Sequence, residues 1–168
     1  MKNLFLSMIA LFTMSALNAQ SGFGVNGGLL MGMGKSDYMG HSSSDSEAGF
    51  YVGVFKQFPL GEGFELQPAL NAGLINDVFL LQIPVIFKYY VAEGFNIQAG
   101  PQLLFDFEDY PDDFTGFNFG IAAGLGYDFT EKFLAEIRYG LQVNNGYTGD
   151  ADYSLKLNTL NLGVGYKF

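Results

Sequence analysis

A chain of 168 residues has the length of a single domain. Its 23 glycines, 18 phenylalanines and 10 tyrosines, with no tryptophan and no cysteine, make it poor in helix formers and suited to sheet. A formal net charge of −9 argues against nucleic acid as a partner, and the absence of cysteine excludes a disulfide framework.

The first nineteen residues, MKNLFLSMIALFTMSALNA, read as a secretory signal peptide, with one lysine, an apolar run from Leu4 to Leu17 and small or polar residues up to Ala19. The run, about fourteen residues, is shorter than the twenty or so that a membrane helix needs. Leu17 is bulkier than the small residue usual at that point, and cleavage is expected after Ala19. The expected division is a signal peptide over 1–19 and one domain over 20–168, the latter with seven basic residues against seventeen acidic.

Eight strands are predicted beyond it, at 23–34, 48–58, 63–74, 79–91, 94–106, 117–129, 133–144 and 157–168. Their connections alternate. PLGEG, AEG and TEK are tight, whereas 35–47, 107–116 and 145–156 read as longer polar loops; the short INDV link is the exception. Short turns at one end and longer loops at the other are the pattern of an outer-membrane barrel.

In the windows 81–91, 95–105, 117–129 and 133–143, 24 of 25 odd positions are apolar, Pro101 being the exception. The interleaved even positions hold only six apolar residues of 24 and are mostly Gly, Asn and Gln with a few charges. A soluble barrel would turn the apolar face inward and a membrane barrel outward. Three features favour lipid. The strands run to eleven to thirteen residues, long for a soluble sheet and sufficient to cross a bilayer at a tilt. Phe58, Phe64, Tyr89, Phe95, Phe129 and Phe133 gather beside the tight turns as an interfacial girdle would. The polar face is too poor in charge for a solvated surface. The expected fold is therefore all-β: an eight-stranded antiparallel up-and-down transmembrane β-barrel in the cell outer membrane, preceded by a cleaved signal peptide. Pro68, Pro84 and Pro101 fall inside predicted strands, where β-bulges are expected to accommodate them.

The run IPVIFKYYVAEGFNIQAGPQLLF, then FNFGIAAGLGYDFTEKFLAEIRYGL and the terminal LGVGYKF, resemble the PorT-like outer-membrane β-barrel family of Gram-negative bacteria. The similarity covers nearly the whole mature chain and is strongest from Gln82 to Tyr139. The resemblance implies an eight-stranded outer-membrane barrel and assigns no activity.

Motifs that elsewhere carry chemistry lack their context. GFGVNG at 22–27 matches a dinucleotide fingerprint, but no strand precedes it and no helix follows, so its glycines read as small lumen-facing residues. Asp106, Glu108, Asp109, Asp112 and Asp113 make an acidic loop without the spacing of a calcium loop. With Asp37, Asp45, Glu47, Asp150 and Asp152 on the same side, they suggest bridging to lipopolysaccharide through divalent cations. His41 stands among loop serines with no scaffold to hold a triad. No catalytic, cofactor-binding or metal residue is assigned, and no enzyme activity is expected. By parity Glu65, Lys88, Glu136 and Arg138 point into the lumen, in the half nearer the periplasm, and are expected to form a salt-bridged plug.

The function expected is structural: anchoring in the envelope and surface interaction, with outer-membrane lipid and, during folding, the barrel-assembly machinery as partners. The alternatives are a narrow porin-like channel for small solutes and a soluble lipocalin-like ligand-binding barrel.

Overall fold

The computed structural model describes residues 22–38, 41–108, 113–149 and 153–168. The expected signal peptide lies outside the described residues. All regular structure among the described residues is strand: β1 (Phe23–Tyr38), β2 (His41–Lys56), β3 (Phe58–Gly61), β4 (Phe64–Ile75), β5 (Val78–Tyr90), β6 (Phe95–Asp106), β7 (Phe117–Asp128), β8 (Phe133–Gln142) and β9 (Tyr153–Lys167). Every pairing is antiparallel, between chain neighbours except where β1 meets β9 and β2 meets β4. β2 and β3 pair with β4 in the same register, Phe55 opposite Ala69 and Phe58 opposite Leu66, so they form one stave, which shifts only beside the turn, between Pro59 and Gly61. The result is a closed, eight-stave antiparallel barrel, zipped by Gly24 opposite Lys167 and by the Phe168 N–H donating to the Phe23 carbonyl at 2.9 Å.

The tight turns use residues that tolerate left-handed backbone. Gly63 and Gly94 take φ of 75° and 72°, and Asn76-Asp77, at 43° and 66°, make the two-residue hairpin between β4 and β5.

The alternation decides which way each side chain points. In β7 and β8 the odd positions are exposed or half-buried and nearly all even positions are buried. Phe50, Val52, Phe87, Ile121, Leu141 and Val164 are therefore outside, about half or more exposed. A surface this apolar has no soluble counterpart and meets hydrocarbon. At the turn end, periplasmic in barrels of this kind, Phe64 stacks on Tyr89 at 4.6 Å, and Phe133, Tyr166, Phe168 and Phe23 follow one another at 5.1–5.9 Å. A second aromatic group at the loop end pairs Phe79 with Phe107 and Phe105 with Phe117.

Two expectations are corrected. The segment 35–47 is a continuation of the β1–β2 hairpin rather than a loop, paired without a gap up to Tyr38 opposite His41. β9 follows β1 just as far, with Tyr153 opposite Tyr38, so a three-stranded extension rises beyond the top of β4. Second, the prolines are not absorbed by bulges. The ladder pauses where Pro68 meets β2, where Pro84 meets β4 and where Pro101 meets β5, and resumes in the same register each time. Each proline remains paired with the next stave, opposite Val85, Gln102 and Ile121 respectively. A residue without an N–H can sit in a ladder if it omits bonds on one side only.

A closed ladder leaves no edge from which unfolding can start within the bilayer. We expect the detergent-folded protein to migrate differently on gels before and after boiling; identical migration would contradict closure.

Candidate functional site

The interior is the place where polar chemistry concentrates. Glu136 on β8 is its hub: Lys88 Nζ on β5 lies 2.6 Å from Oε1, and Arg138 pairs with Oε2. Gln67 and Gln98 donate to the same Oε1 at 3.2 and 3.4 Å, and Gln57 donates to Gln67 at 3.0 Å. The carboxylate thus gathers side chains from β4, β5, β6 and β8. The lysine and glutamate side chains are 0% and 3% exposed, so neither charge is hydrated. Their stability depends on one another.

Glycines supply the room for this network. A methyl on Gly124 would lie 2.8 Å from Arg138 Cγ, and one on Gly126 only 2.3 Å from Gln98 Nε2. At Gly24 the same space is taken by the Phe55 ring. Gly24 faces the lumen as expected of the GFGVNG stretch, whereas Gly27, of the opposite parity, lies on the wall.

Glu65 stands apart from the plug. It faces Lys88 directly across the β4–β5 ladder, yet that lysine reaches over the lumen to Glu136. The physical reason is depth: the carboxylate shut away from water gains more from the ammonium than one at the partly hydrated rim. Glu65 instead accepts from Tyr90, whose hydroxyl lies 3.0 Å from both Glu65 Oε2 and Asp128 Oδ2. Lys167 completes this rim cluster, 2.8 Å from Asp128. Tyr90, Asp128 and Lys167 were not assigned to a charge network from sequence, although parity already turns Asp128 inward.

Above the plug, buried amides such as Gln82, which accepts from Asn161 at 2.9 Å, give way to an apolar layer. Leu30, Tyr51, Ile75, Leu80 and Leu104 form a buried cluster, with Val78 and Leu157 packed against it. Phe55, Ala69 and Leu134 form a second one on the turn side of the network. Lumen amides such as Gln82, Asn96 and Gln98 are no more than 4% exposed, whereas a water-filled bore would leave them wet. A hollow of about 850 Å³ lies on the outer wall instead, floored by Gly27 and Ala135 between Leu29, Phe50, Ile137 and Val164. It opens towards lipid.

His41 starts β2 as an exposed strand residue. Among the described residues, no three acidic or histidine side chains converge as metal ligands would. Asp109, Asp112, Asp150 and Asp152 lie outside the described residues.

A closed antiparallel barrel with an apolar wall, aromatic girdles and a packed polar interior defines the class: a transmembrane β-barrel of the outer-membrane kind. Solved structures share the fold. Neisserial surface protein A is similar at 14% identity over 88% of this chain and 98% of its own, with a TM-score of 0.51. A de novo designed transmembrane β-barrel matches at 13% identity over 89% and 98%, also at 0.51. The outer-membrane protein Ail of Yersinia pestis in a phospholipid nanodisc matches at 12% identity over 88% and 99%, at 0.50. No protein-family model and no curated protein matches the chain.

Proposed function

We propose that the protein is a structural barrel of the outer membrane, which anchors itself in the envelope and presents its β1–β2–β9 extension as an interaction surface. The observation that carries this reading is the closed lumen, with the Glu136 network below and the Leu30–Leu104 cluster above. Eight staves enclose a bore that side chains can fill, and here they do. A conduit would need those two layers to part. Its sequence motifs resemble those of PorT-like barrels, and in this reading its working partners are the lipids of the membrane, lipopolysaccharide among them, and the assembly machinery that inserts it. Divalent cations would bridge its outer acidic residues to lipopolysaccharide.

Purified protein inserted into planar bilayers tests the reading. We expect no discrete conductance steps at potentials that the bilayer itself withstands. Reproducible unitary steps, altered by Lys88→Met, would replace the structural reading with a channel.

A further inference from the structure

Among the described residues the cations are matched except for one pair. Lys88 and Arg138 hold Glu136, Lys167 holds Asp128, and Lys56 and Lys132 lie over the Phe58 and Tyr166 rings at 5.1 and 5.7 Å. Lys35 and Lys156 make no ion pair, side-chain hydrogen bond or ring contact among the described residues, and they are direct ladder partners on β1 and β9. Like charges directly opposite one another on a sheet destabilise it unless something neutralises them.

Their position indicates what does so. Gly32 and Leu157 look inward, towards Ile75 and the apolar cluster, so Lys35 and Lys156 look outward. On that outer wall the ladder row Leu160–Met31–Ala48 is apolar, the row Asn158–Met33–Ser46 is mixed, and the next is Lys156–Lys35–Ser44. The lysines therefore stand two ladder steps beyond the last wholly apolar row, on the order of 13 Å along the strands. That is the level of lipid headgroups. Of the nearby acids, Asp45 and Glu47 lie opposite Gly34 and Gly32 on the inner face, whereas Asp37 shares the outer face one row beyond the lysines, where it accepts from Ser42 and pairs with neither lysine.

We infer that Lys35 and Lys156 form a clamp for a phosphate group carried by a lipid of the outer leaflet, its acyl chains lying against Met31, Met33 and Leu160. This inference rests on the outer-membrane reading and gives the surface-interaction role a direct contact, ammonium to phosphate, that needs no bridging cation. Two ammonium groups directly opposite one another on adjacent strands suit a doubly charged anion, and the apolar wall beneath selects one with a hydrocarbon tail over the free ion.

The test uses folded full-length protein in detergent micelles, titrated with bisphosphorylated lipid A and followed by native mass spectrometry. Replacing both lysines, K35Q/K156Q, should weaken retention about thirtyfold. K35R/K156R should retain the lipid, and K132Q, at the opposite end of the wall, should match the unaltered protein. Equal retention by K35Q/K156Q, equal binding of dephosphorylated lipid A, or displacement of lipid A by an equal concentration of inorganic phosphate would each overturn the inference. Boiling-sensitive migration reads barrel formation separately. If it persists in every variant while retention is unchanged, the clamp fails and the barrel stands; if it is absent in the unaltered protein, the membrane reading itself fails.

Discussion

Glu136→Gln should be the most damaging single change in the lumen, lowering stability by about 3 to 5 kcal/mol because it leaves two buried cations without an anion. Lys88 and Arg138 pair with the two oxygens of that carboxylate, and Glu65, which faces Lys88 across the ladder, is engaged with Tyr90 at the rim. Arg138→Ala should cost less, about 1 to 3 kcal/mol, since a one-to-one Lys88–Glu136 pair survives it. Glu65→Gln should cost no more than about 1 kcal/mol, as expected of a partly hydrated carboxylate. Urea midpoints of reversible folding into lipid vesicles measure all three. Equal losses for Glu136→Gln and Glu65→Gln would mean that the plug is hydrated.

The outer wall should give the other large effect. Ile121 is 52% exposed at the middle of β7, between Pro101 and Leu141 on the adjoining staves. Ile121→Arg places a charge in hydrocarbon and should cost about 2 to 4 kcal/mol. Ile97→Arg should cost less, because its ladder partner Tyr89 belongs to the turn-end girdle and a long side chain there reaches the interface. The same vesicle-folding assay decides: a graded penalty from girdle to midplane marks a bilayer, whereas a uniform one does not. Gln98→Arg is no mild control, since Gln98 is packed over Gly126 beside a carboxylate that already holds two cations.

Much of this was legible because a barrel wall writes its two solvents into alternate residues. Odd-numbered Ile121, Leu125 and Ile137 face out, and even-numbered Gln98, Glu136 and Arg138 face in, as the period of two requires. The even-position exceptions carried information too. Leu80, Ile86, Leu104, Ala122 and Leu134 break the polar pattern and are all buried lumen residues, while Tyr90 is the hinge of the rim cluster. Residues 35–47 could not be recognised as strand, because a hairpin standing above the membrane has neither lipid nor core to impose an alternation. Parity and the tight turns pointed Glu65 into the lower half of the lumen but did not rank depth within that half. Only the register shows that Lys88, directly opposite, is drawn away by the deeper Glu136. The prolines misled for a related reason: a missing donor can be tolerated on one side of a strand without shifting its register.

The central claim is that the apolar side of the wall meets lipid while the extension stands in water. A fluorophore on Ile121→Cys, compared with one on Ser43→Cys in the exposed start of β2, tests it most directly in vesicle-folded protein. Nitroxide carried deep in the acyl chains should quench the label at 121 and spare that at 43, and aqueous iodide should do the reverse. Iodide quenching at 121 with no effect of the lipid-borne nitroxide would contradict the account.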